Sequence, residues 1–95
     1  MATAVLEVPG TLAQVWGGRR SATIEYDGGS SMADFLDVAA AGHPRFGRRI
    51  RDETGAVRRY VNVFIDGENI RAMAGLDTVV PSGARVMVIQ SVAGG

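Results

Sequence analysis

YVNVFIDGENIR, residues 60–71, decides the architecture. Val61, Val63 and Ile65 alternate with Tyr60, Asn62 and Phe64, a period of two that predicts a strand with two distinct faces. Asp66-Gly67 follows as a tight-turn signal, since a two-residue hairpin loop favours residues that tolerate positive φ. Glu68–Arg71 is then predicted to return as a short second strand.

Downstream, AMAGLDTVVPSGA is a connector with turn chemistry at Pro81-Ser82-Gly83, and Arg85–Val92 reads as the last strand. Upstream, Thr3–Val8 reads as a first strand stopped by Pro9-Gly10. Ser21–Tyr26 alternates Ala22, Ile24 and Tyr26 against Ser21, Thr23 and Glu25, the pattern of a half-buried strand. The segment between them, TLAQVWGGRR, is read as a connection, with Gly17-Gly18 at its turn.

One main helix is expected after the first two strands. Ser30 or Ser31 offers an N-cap hydroxyl, and Asp34 suits the positive end of the helix. Met32, Phe35, Leu36 and Ala39 fall on one stripe, and Gly42 and Pro44 end the segment. The arginine-rich stretch after it, anchored by Phe46 and Ile50, is expected to be a short helical turn and a loop.

The order is β-β-α-β-β-β, an α+β arrangement of four to five strands. A single helix covers one face of such a sheet. Val61, Val63, Ile65, Val86 and Val88 are assigned to the helix side. By parity, Phe64, Met87 and Ile89 then form an exposed apolar patch on the opposite face, a place for a partner to bind.

The chain has 95 residues, of which 46% are hydrophobic, with formal net charge +0. These values describe one small globular domain. Cysteine is absent, which excludes a disulfide scaffold, a thiolate metal site and a cysteine nucleophile. The start MATAVLEVPG has no basic or long apolar run, so no signal peptide is expected. No stretch is long enough to span a bilayer. A cytoplasmic location and no membrane partner are the expectation.

The hairpin, the helix, VNVFIDGENIR and a final strand running into VAGG together resemble the MoaD/ThiS family of ubiquitin-like sulfur carriers, nearest to its CysO-type branch. That resemblance covers nearly the whole chain. It implies a β-grasp domain over residues 1–91 and a flexible tail over 92–95. It implies that the carboxylate of Gly95 is adenylated by an E1-like enzyme of the MoeB/ThiF type, using ATP, and converted to a thiocarboxylate. Gly94 gives clearance in a narrow channel, and Val92 and Ala93 position the tail. The recipient would be a biosynthetic enzyme: a cysteine synthase, or one acting on molybdopterin, thiamin or a thiosugar. The carrier would bind no cofactor of its own and would not be an enzyme. The same tail would also suit a molybdopterin synthase small subunit or a ubiquitin-like modifier joined to lysines. A β-grasp interaction module, with an incidental Gly-Gly end, is the reading from another class.

Other residues carry less. His43 is the only histidine and, with no cysteine, makes no metal site. DGGSS, residues 27–31, lacks the Gly-Lys-Ser/Thr element of a phosphate loop. All ten basic residues are arginine. Nucleotide composition is the plain explanation. Absence of lysine would also spare an activated C-terminus an internal isopeptide. Six arginines gather at Arg45, Arg48, Arg49, Arg51, Arg58 and Arg59. A solvated loop or a docking surface for an acidic partner fits them. Nucleic acid is disfavoured by the zero net charge and the thin scatter of aromatics.

Overall fold

A computed structural model describes residues 1–91. It contains five strands: β1 Ala2–Glu7, β2 Ser21–Tyr26, β3 Val61–Ile65, β4 Glu68–Asn69 and β5 Arg85–Gln90. Between β1 and β2 lies a single helical turn, α1 Gly10–Ala13. Between β2 and β3 lie α2 Met32–Ala40 and α3 Pro44–Ile50. The strands form one mixed sheet in the order β2-β1-β5-β3-β4. β1 and β5 run parallel at its centre, and every other pairing is antiparallel.

The alternation in the sequence sets which side is buried. Val61, Val63, Ile65, Val86 and Val88 are all buried, as are Ala4 and Leu6 of β1. Met32, Phe35, Leu36 and Ala39 of α2 close over them in one cluster. Ser31 caps α2, its hydroxyl accepting the Asp34 amide at 3.2 Å. Tyr26 meets Phe35 edge-on, with centroids 5.1 Å apart, and its hydroxyl donates to the carbonyls of Val80 and Pro81 at 2.8 and 3.0 Å. Burial pushes the Tyr26 phenol above its ordinary value.

Three details depart from the sequence expectation. The segment read as a plain connection forms α1, which seats Leu12 and Ala13 in the core, and the turn after it buries Trp16. Trp16 stacks on Phe46 of α3 at 5.0 Å and donates its indole N–H to the Ala39 carbonyl at 2.8 Å. One indole therefore ties the β1–β2 connection to both helices. Secondly, the short helical turn expected around Phe46 and Ile50 extends to the seven residues of α3, which lies beside α2, with Gly47 facing Ala40. Thirdly, the predicted return strand is only two residues long. Asn69 ends it by accepting the Arg71 amide at 2.9 Å, and Ile70–Ala72 turns as a 3₁₀ helix that buries Ile70.

The hairpin at Asp66-Gly67 forms as expected, with φ of 48° and 88° at its two central residues. Positive φ at both is the type I′ signature that matches strand twist. The Asp66 carboxylate accepts the Arg85 amide at 2.9 Å, joining this turn to the start of β5.

Candidate functional site

β5 sits at the centre of the sheet and displays two faces. Val86 and Val88 point inward and are buried. Met87 and Ile89 point outward and are 37% and 42% exposed. Phe64 lies opposite Met87 in the β3–β5 ladder, and Asn62 lies opposite Ile89. Phe64 is half-buried. The parity expected for Phe64, Met87 and Ile89 therefore holds, and the three share one surface.

That surface has relief. Met87 and Ile89 stand between two shallow depressions of about 220 Å³ each. One is completed by Phe64, Gly67 and Arg85, the other by Glu7, Val8 and Pro9. Glu7 reaches this place through the parallel β1–β5 register, which pairs it with Met87. Sequence reading missed Glu7, Pro9 and Arg85, because the pairing of the first strand with the last is carried by no local pattern. Arg85 and Glu7 form a loose, exposed ion pair at 3.8 Å. On the other flank, Asn62 Oδ1 accepts from Asn69 at 3.1 Å and from Arg71 at 2.7 Å. The face is thus an apolar ridge with a polar border.

The end of β5 is anchored. The Ser91 amide donates to the Tyr60 carbonyl at 2.7 Å, and the Gln90 side-chain oxygen accepts from the Thr11 hydroxyl at 3.2 Å. Val92, Ala93, Gly94 and Gly95, expected to form the working tail, lie outside the described residues.

The arginine cluster divides, with Arg59 exposed and belonging to neither of two groups. Arg51 braces the scaffold. It pairs with Asp37 at 2.8 Å and donates to the Gly55 carbonyl at 2.8 Å. Arg45, Arg48, Arg49 and Arg58 instead line an open depression of about 410 Å³ together with Gln90. His43 precedes α3 and makes no side-chain cap. Among the described residues there is no group of three or more His, Cys, Asp or Glu side chains placed to hold a metal. Among them, too, no helix is long and apolar enough to cross a membrane.

The sequence profile of the ThiS family matches residues 6–95. The chain belongs to the ThiS family. This ThiS-family chain is 26% identical over 92 residues to the sulfur carrier protein CysO of Mycobacterium tuberculosis, covering 95% of the chain and 96% of that protein. Its fold superposes with a TM-score of 0.84 on a chain of the Amycolatopsis orientalis BexX/CysO complex, at 25% identity and covering 97% and 99% of the two chains. It superposes with a TM-score of 0.82 on small archaeal modifier protein 1 of Haloferax volcanii, at 25% identity and covering 97% and 100%. The fold is the ubiquitin-like β-grasp.

Proposed function

We propose that this protein is a sulfur carrier whose working group is the carboxylate of Gly95. The observation that carries this reading is the family match through residue 95, which takes in Gly94-Gly95 at the end of a β-grasp domain. The relative CysO is itself a sulfur carrier protein.

The chemistry is acyl activation. An E1-like enzyme joins the Gly95 carboxylate to the α-phosphate of ATP, and pyrophosphate leaves. A sulfur donor at the sulfide level attacks the acyl carbon, and AMP leaves. The product is a thiocarboxylate, a better nucleophile than water or an alcohol. A biosynthetic enzyme then takes the sulfur into cysteine or a related metabolite. The carrier contributes delivery rather than catalysis.

Delivery rests on two parts of the molecule. Val92–Gly95 span about 13–14 Å when extended, at about 3.3–3.6 Å per residue, which suffices to enter a narrow channel. Gly94 and Gly95 bring no side chain into it. Ordering such an arm opposes binding, so a separate surface must supply affinity. Phe64, Met87 and Ile89 are suited to supply it.

The test is pyrophosphate exchange into ATP by the cognate activating enzyme. The full chain should support exchange, and a chain ending at Ala93 should not. Equal exchange with both would overturn the reading. The likeness to small archaeal modifier protein 1 favours a second use of the same activated carboxylate, conjugation to lysine amines. Adducts that survive denaturing electrophoresis after activation would establish it.

A further inference from the structure

Four of the five arginines that remain after Arg51 is assigned to the scaffold are placed in a particular way. Phe46 and Ile50 bury the inner side of α3, and Phe46 is held by Trp16. Arg45, Arg48 and Arg49 are therefore presented outward by a helix that is fixed in place. Arg58 joins them across the 51–58 loop. Its amide donates to the Ile50 carbonyl at 2.9 Å, and its Nε donates to the Arg48 carbonyl. All four side chains are exposed.

Among the described residues, the ion pairs are Arg51–Asp37 and Arg85–Glu7, and neither uses these four. Asp52 feels the charge of Arg58, but its Oδ1 is occupied by the Thr54 amide and hydroxyl and the Ala56 amide. The walls of this depression hold four guanidinium groups, the Gln90 amide and no carboxylate, while Arg48 and Arg58 also border a second depression whose lining includes Asp37, Asp52 and Glu53. Like charges gathered this closely repel one another, and an anion in the depression relieves that repulsion.

The position narrows the anion. Gln90 is the last residue of β5, two places before Val92. The depression thus lies at the root of the segment that, on the reading above, enters a partner protein. No aromatic side chain lines it, so it lacks the stacking platform of a single-stranded nucleic-acid site. Guanidinium forks match carboxylates in paired hydrogen bonds.

We propose that Arg45, Arg48, Arg49, Arg58 and Gln90 form a docking site for an acidic segment of the partner protein, at the rim of the channel that receives Val92–Gly95. The apolar ridge supplies contact area on the sheet face. The arginine site supplies charge steering and fixes the orientation in which the tail meets its channel.

The choice of a protein partner rests on the sulfur-carrier reading, but the test does not. The isotope-labelled full chain is titrated at low salt with hexaglutamate, and in parallel with hexaglutamine, tripolyphosphate and a short single-stranded RNA. Hexaglutamate should bind saturably in the millimolar range and shift the amides of residues 45–49, 58 and 90. Hexaglutamine should leave them unmoved. Arg48→Gln/Arg49→Gln should weaken binding about three- to tenfold, the effect of removing two exposed charge contacts. Arg85→Gln, at the opposite end of β5, should leave it unchanged. Absence of saturable shifts, shifts spread evenly over all arginines, or tighter binding of tripolyphosphate or RNA would each overturn the proposal. No ATP or sulfide enters the titration. Failure of Gly95 to load sulfur while hexaglutamate still binds would strike the carrier reading alone.

Discussion

Phe64 and Met87 face each other across the β3–β5 ladder, on the side of the sheet that no helix covers. One step along the same strand, Val88 is 1% exposed in the core. A shift of one residue thus separates the open face of the sheet from the interior. Substitutions at these neighbours should fail in different ways.

Met87→Glu and Ile89→Glu should fold and bind poorly. Both side chains already meet water, so thermal unfolding should move by no more than a few degrees. A charge within an apolar contact should weaken binding to the activating enzyme at least tenfold, or about 1.4 kcal/mol. Val88→Glu should instead leave little folded protein, because it buries an unpaired carboxylate. Calorimetric titration together with circular dichroism separates the two outcomes.

Trp16→Phe should lower stability by about 1–3 kcal/mol, the range for a buried acceptor that loses its donor. The ring stack on Phe46 would be largely kept, while the Ala39 carbonyl would lose its indole partner. Urea unfolding followed by circular dichroism reads the change.

Gly67→Ala should destabilise by about 1–2 kcal/mol. Gly67 has φ of 88° with open space where a Cβ would go, so the penalty is conformational and not steric crowding. Gly28 also has open space but no left-handed φ, and Gly28→Ala should be close to neutral. Denaturant midpoints of the two variants give the comparison.

Asp52 should make the 51–58 loop acid-sensitive. Its hydrogen bonds from Thr54, with a smaller contribution from Ala56 and Arg58, hold the carboxyl below the ordinary aspartate value of 3.8. The folded state therefore favours the ionised form. That contribution is fully present above the unfolded value and is lost as pH falls through the lower folded one. The stability difference between the native chain and Asp52→Ala should be constant near neutrality and shrink below about pH 4. Urea midpoints measured across that range check the sign.

Much of this fold was legible because its strands alternate cleanly. Val61, Val63 and Ile65 declared one face, and Asp66-Gly67 declared the turn. Met32, Phe35, Leu36 and Ala39 declared the helix stripe. Local rules govern all three. What stayed hidden depends on contacts far apart in the chain. The two-residue span of β4 follows from Asn69 capping the turn that buries Ile70. The placement of Glu7 beside Met87 follows from the parallel pairing of the first and last strands. That Trp16 packs is readable from its residue type, but its partners are not: α2 and α3 bring Ala39 and Phe46 to it. The arginine cluster was visible as a run. Its division into a scaffold residue, Arg51, an open group of four, and Arg59 apart from both needed the positions of Asp37 and Gln90.

Sulfur on Gly95 can be read by intact-protein mass spectrometry. The chain is incubated with ATP, sulfide and its cognate activating enzyme, then digested to locate any change. The expected result is a mass gain equal to replacing one oxygen by sulfur, confined to the peptide that ends in Gly95 and dependent on ATP. An unchanged mass with an activator shown to be competent, or a gain located elsewhere in the chain, would contradict it.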